Sequence, residues 1–429
     1  MKQYKRLFSF LLGLVIFTLG LVSVSAGGGR ETTREDGPTN LRWTMWVSTE
    51  TEQQQWEELA RDFEETADNV TLSIDSTGWN AYWTRLQTQI ASRTQADIIA
   101  MQSLRAYGFY SLGGFLPLDD FIANDPELDL SDFDEAMIDA LTYDGQIYGL
   151  PYDSGPAVLY YNMDLFDDAG LQYPDESWTW DEFLQAARAL SGNGNHGYAV
   201  NDSLDGLVYF IWGMGGDYFN SETGNYDFTQ DATADAFQFV SDLFHVHQVA
   251  RPLTEFANPF FQVEQFLGGS VGMFIEGPWQ ATTLRAAEFR WGMAPVPEGP
   301  AGRYTPVAGS GFSISSETEN PAAAWEALRS ITSTESLTKL AEWGRGLPAR
   351  ASAVQGFFDG QEAVEGLEWV VDSVDFGRAY TGHNNWQEVQ SIVQDEVQAL
   401  LLDSSITGED VARRITTRIQ SIAPNVETF

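Results

Sequence analysis

No cysteine occurs among the 429 residues. Disulfide bonds, thiolate zinc sites and thiol catalysis are therefore excluded. The lipid anchor that would need a cysteine just after the N-terminal apolar run is excluded too, since Gly27 follows Ala26 there. Lysine is almost as scarce, and beyond residue 26 Lys339 is the only one. The formal charge is −39, and loss of Lys2, Lys5 and Arg6 with a leader takes it to −42. Nucleic acid and anionic membrane are poor partners for such a surface. Either one acidic face meets a cationic partner or the acidity serves solubility, as in halophiles; acids spread along the whole chain favour solubility. The motif H-E-x-x-H and the Walker loop are missing. Of the four histidines, His245 and His247 stand two apart and share no helix face, and His196 and His383 show no ligand spacing. Neither a metal nor another cofactor is expected.

What is present begins with a leader. Lys2, Lys5 and Arg6 precede an apolar run over 7–22 and small residues up to Ala26, the pattern of a secretory signal peptide over 1–26 cleaved near Ala26. An uncleaved anchor is the rival, although the run is shorter than the ~20 residues of a spanning helix. Residues 27–40 are rich in Gly, Thr and charge and read as a flexible tether. No second run of spanning length follows, so the mature chain is expected to be soluble and periplasmic.

From Leu41 the pattern alternates. LRWTMWV (41–47), VTLSIDS (70–76) and ADIIAMQ (96–102) read as strands, with helical spacing of Trp56, Leu59, Ala60 and Phe63 behind Thr51 as N-cap, and a helix at AYWTRLQTQIA. Strand–helix alternation implies parallel pairing, with ligands beyond the carboxyl ends of the strands. A second α/β run follows: Asn162 or Asp164 caps a helix ending at Gly170, Thr179 and Glu182 form a capping box, and SVGMFIEG (270–277) reads as a strand. VAGSGFSISS (307–316) is a Gly-rich strand, and Val389, Ile392, Val393, Val397 and Leu400 mark one face of a helix over 386–402. Two interrupted α/β regions suggest two lobes threaded by more than one crossover. Pro151 to Pro156 then reads as a hinge strand, against a plain surface turn.

DGQIYGLPYDSGPAVLYYNMDLFDDAGL with WTWDEF, then FLGGSVGMFIEGPW, WGMAPVPEGP, VAGSGFSIS and WGRGLPARASA, occur in that order. The ordered set resembles the extracellular solute-binding proteins of carbohydrate ABC importers, the branch that includes maltose-binding protein. The resemblance spans about Leu41 to Phe429. It implies an α/β, two-lobed periplasmic-binding-protein fold with a hinge and an interlobe cleft. Residues 41–152 with 306–352 would form the N-terminal lobe and 153–305 with 353–429 the C-terminal lobe. It further implies a monomeric, non-catalytic receptor that presents a mono- or oligosaccharide to membrane permease subunits. Many relatives are lipid-anchored through a cysteine absent here.

A sugar presents hydroxyls to carboxylates, amides and Arg, and C–H faces to aromatic rings. Trp279, after a strand and Pro278, corresponds to a stacking Trp of the family, and Trp386 resembles a second such position, with core packing as its rival. Trp212, beside GMGG, and Trp79, in a loop after the second strand, read as site walls; Trp46 reads as core. Glu50 aligns with a hydroxyl-binding acid, beside Ser48 and Thr49, although it also suits a helix N-terminus. Gln102 ends the third strand, and Asp153 lies in the hinge segment. Arg345, between glycines, could bridge hydroxyls or pair with an acid.

Two other readings compete. A secreted glycoside hydrolase or lyase needs two facing carboxylates, which 62 acids cannot discriminate. Tyr160 and Tyr161 resemble the adjacent tyrosines of iron-binding members of the superfold, but in a strand they face opposite ways, which favours a structural role.

Overall fold

The computed structural model describes residues 38–220, 223–250, 261–360, 364–380, 382–383 and 385–422. The expected leader and most of the expected tether lie outside these residues. The first strand starts at Thr39, two residues inside that tether, where the Thr39 N–H bonds the Asn69 carbonyl at 2.9 Å.

Two sheets organise the chain. In the larger, Thr39–Trp46 lies between Val70–Thr77 and Ile98–Gln102, parallel to both, as strand–helix alternation requires. The long strand Thr305–Ile314 then pairs antiparallel with Ile98–Gln102 on one side and with Gly149–Pro156 on the other. Leu347–Pro348 closes the far edge, and Gly377–Ala379 pairs parallel with the start of the long strand. The smaller sheet has the order Trp291–Ala294, Val158–Asn162, Val271–Glu276, His196–Ala199.

The chain passes from one sheet to the other between Pro156 and Val158, and all of Gly149–Pro156 belongs to the large sheet. Tertiary pairing extends this strand: Val307 pairs with Pro156 and Gly309 with Ser154. The glycines of VAGSGF make this pairing possible. A Cβ on Gly309 would stand 2.2 Å from the Asp153 carbonyl oxygen.

Each sheet has its own core. Trp43 packs edge-on against Trp56 and Phe312 at centroid distances of 5.5 and 5.0 Å. On the other side Tyr161, Phe183, Tyr198 and Phe237 are buried together. Tyr160 faces the opposite core and donates its hydroxyl to the Gly277 carbonyl at 2.9 Å. The adjacent tyrosines therefore point apart and are both packed, which fits their structural reading.

Local signals are mostly where the sequence puts them. Asn162 caps Met163–Ala169, which ends at Gly170 in the left-handed region, Thr179 and Glu182 form a capping box, and Trp386–Leu402 is a single helix. The cap of Glu50–Thr66 differs: Thr49, not Thr51, accepts from the Glu52 N–H, at 3.1 Å.

Candidate functional site

A cleft of about 180 Å³ lies between the two sheets, walled by the carboxyl ends of the parallel strands and by the crossing segments. Trp46, Trp79, Gln102, Tyr152, Asp153 and Arg345 line it from the larger sheet. Asp205, Glu276, Trp279 and Gln280 line it from the smaller, with Tyr380 beside them.

The first helix supplies one acid through its phase. Glu50 and Glu52 stand two residues apart, about 200° around a helix. Glu50 points to solvent, and Glu52 turns inward, where one carboxylate oxygen accepts from the Ser48 N–H at 2.7 Å and the other from Arg345. Glu50, the expected hydroxyl-binding acid, thus does not line the cleft, whereas Glu52 does. Gly344 and Gly346, at φ +83° and +140°, let the loop bring Arg345 inward. The guanidinium lies 5.2 Å from the Trp56 ring centroid, and both partners are almost wholly buried, Glu52 at 4% and Arg345 at 8% exposure. Burial opposes the Arg345 charge, but Glu52, Tyr152 and Asp153 together keep it above its ordinary range. Its Nε has no hydrogen-bond partner among the described residues.

Asp153 owes its orientation to a bulge. Ser310 pairs with Asp153 and Gly311 with Pro151, so Tyr152 has no partner across the strand, and Tyr152 and Asp153 both reach the cleft. The Ser310 N–H donates to Asp153 Oδ1 at 2.6 Å. Burial raises the Asp153 carboxyl to about 7, against the attraction of Arg345 and the Ser310 hydrogen bond.

Across the cleft Glu276 ends its strand. It accepts from Gln262 at 2.8 Å and from the Gly277 N–H at 3.0 Å. Burial raises this carboxyl to about 7 as well, helped by the Asp205 charge and opposed by those two hydrogen bonds. Asp205 accepts at Oδ1 from Tyr380 at 2.8 Å and from Gln390 at 2.6 Å. Trp279 precedes the short helix Gln280–Leu284 as its N-cap, with its ring folded back over Gly277, where a Cβ would meet the ring at 2.1 Å.

Of the eight residues singled out in the sequence, Trp79, Gln102, Asp153, Trp279 and Arg345 line the cleft. Trp79 opens the helix Trp79–Ser92 rather than a loop, its ring 5.1 Å from Trp46, which also lines the cleft instead of being core alone. Gln102 accepts from Arg105, whose guanidinium rests over the Trp79 ring at 4.9 Å. Trp212 and Trp386 do not line the cleft. Both are 2% exposed and pack edge-on behind Tyr380, at 6.1 and 5.4 Å, so they hold up a wall rather than form it. Glu276 was within reach of sequence reasoning as the last residue of a strand in EGPW. Asp205 and Tyr380 carry no local signal, because they meet only through the fold.

Among the described residues no group of three or more His, Asp or Glu side chains is arranged to hold a metal, and no helix is long and apolar enough to cross a membrane.

The fold is shared with an ABC substrate-binding protein from Listeria monocytogenes in complex with cycloalternan. That likeness has a TM-score of 0.84 at 21% identity and covers 90% of this chain and 99% of that one. A maltose/maltodextrin-binding domain from Bdellovibrio bacteriovorus bound to maltotriose matches with a TM-score of 0.78 at 17% identity, over 90% and 100% of the two chains. In sequence, a binding protein of Brucella abortus is 24% identical over 358 residues, 81% of this chain and 84% of that protein. The lactose-binding protein of Rhizobium radiobacter is 27% identical over 224 residues, 50% of this chain and 51% of that protein. The model of the bacterial extracellular solute-binding protein family matches residues 48–337, and with a two-lobed fold and a cleft between its sheets the chain belongs to that family.

Proposed function

We propose that the chain is the receptor of a carbohydrate ABC importer: it takes up a mono- or oligosaccharide between its lobes and delivers it to membrane permease subunits. The observation that carries this reading is the make-up of the cleft. Three tryptophans (Trp46, Trp79, Trp279) line it together with carboxylates, amides and hydroxyls contributed from both sheets. That combination suits C–H faces and paired hydroxyls at once. The lactose-binding relative and the maltotriose-bound neighbour support it.

Trp79, Gln102, Asp153, Trp279 and Arg345, joined by Glu52, Asp205, Glu276 and Tyr380, are the ligand-binding residues in this reading. The lobes hinge about Gly149–Pro156 and the long strand beside it, residues 41–152 with 306–352 against the rest, and contacts made only in the closed form draw the lobes together. The protein acts as a monomer without catalysis, in the periplasm, after cleavage near Ala26. Thermal unfolding of the chain from residue 27 against mono- and oligosaccharides tests this. A saccharide at about 100 times its Kd adds about 2.7 kcal/mol to stability. Turnover of a saccharide by the pure protein, or no shift with any saccharide, refutes the reading.

A further inference from the structure

We propose that the saccharide received by this cleft carries a protonated amine, held between Asp205 and Glu276; this rests on the saccharide reading above. Four carboxylates line the cleft (Glu52, Asp153, Asp205 and Glu276) and one guanidinium, Arg345, which is engaged by Glu52. Among the described residues Asp153, Asp205 and Glu276 form no ion pair. The next cation, Arg105, holds its guanidinium over the Trp79 and Trp83 rings; it attracts Asp205 through its charge but forms no ion pair with it among the described residues.

Carboxylates withdrawn from water without a counter-charge are costly, and an opposite charge recovers that cost. Here the hydrogen bonds satisfy Asp205 and Glu276 only with neutral donors: Tyr380 and Gln390 for the first, Gln262 and the Gly277 N–H for the second. Both bonds to Asp205 fall on Oδ1. The two acids stand on the same wall and repel each other, and burial lifts Glu276 toward neutrality. A neutral sugar would use them as hydroxyl acceptors and leave the excess charge in place. A uronic acid or sugar phosphate would add to the repulsion. An ammonium group between them answers the charge of both carboxylates, in a cleft that Trp279 and Tyr380 also line.

The test is calorimetry of the mature chain, near neutral pH and low salt, with three disaccharides of one linkage: the glucosamine β-1,4 dimer, its N-acetylated form and cellobiose; glucosamine and galactosamine extend the panel. The free-amine dimer is expected to bind at least about tenfold tighter than the other two. Glu276→Gln and, separately, Asp205→Asn are expected to cut that ratio at least about fivefold, whatever they do to each affinity. Circular dichroism and melting establish that each variant is folded. A neutral or acetylated sugar that binds as tightly as the amine, or a ratio untouched by both variants, overturns the proposal and leaves the saccharide receptor standing. Silence from every saccharide, charged and neutral, overturns both.

Discussion

Asp153→Asn removes one charge between the two sheets and keeps an amide oxygen able to accept from the Ser310 N–H, at 2.6 Å in the parent protein. An aspartate in an unfolded chain titrates at ~3.9. In the folded chain burial holds Asp153 at about 7. Between those values the folded protein carries a proton that the unfolded chain has lost, so stability falls as pH rises through the interval. Linkage puts the loss from this single group, between about pH 5 and about pH 8, at ~3 kcal/mol. The D153N protein lacks that loss. Urea unfolding followed by tryptophan fluorescence, without ligand, on both proteins at both pH values isolates the difference, because every other titrating group is common to the pair. The variant should gain ~3 kcal/mol on its parent between the two conditions. Profiles parallel to within ~0.5 kcal/mol would refute the argument that burial, rather than Arg345, governs this carboxyl.

The buried pair gives a second test. Arg345→Met strands the Glu52 carboxylate and is expected to destabilise by about 3–5 kcal/mol, while adding Glu52→Gln restores most of the loss; additive losses on denaturant titration would contradict the pairing. Glu50→Gln should leave saccharide affinity unchanged while Glu52→Gln weakens it about tenfold or more, read by calorimetry, and the reverse would return the site to the outward face of the helix. Trp279→Ala should lower affinity at least about tenfold with folding retained, and unchanged affinity would remove it from the site. Gly309→Ala drives a methyl to within 2.2 Å of the Asp153 carbonyl, and a loss of about 2 kcal/mol or more in thermal or urea unfolding is expected.

Some of the site was legible because it follows from local geometry. Gln102 ends a strand and Trp279 follows a strand and a proline, and in an open α/β sheet those positions face the ligand side. Arg345 was legible through its flanking glycines. The substitution of Glu52 for Glu50 turns on whether the helix cap is Thr49 or Thr51. Both residues are plausible caps, and a shift of two residues exchanges the inner face for the outer. Trp212 and Trp386 show the limit for aromatics: a Trp beside glycines or at a helix start looks the same in sequence whether it lines a cleft or supports the Tyr that does.

The sequence by itself determined the alternation of strands and helices, the capping of the helices, the two packed tyrosines and the order of motifs that marks the family, because periodicity and turn chemistry act over a few residues. Only the tertiary structure decided that Gly149–Pro156 runs on to Pro156 within the large sheet, that a bulge turns Tyr152 and Asp153 into the cleft together, and that Arg345 closes on Glu52. It alone brings Asp205, Glu276 and Tyr380 to one wall. Those contacts join residues from about 70 to about 290 positions apart, and at that separation pairing is set by how sheets and loops pack rather than by any local preference of the chain.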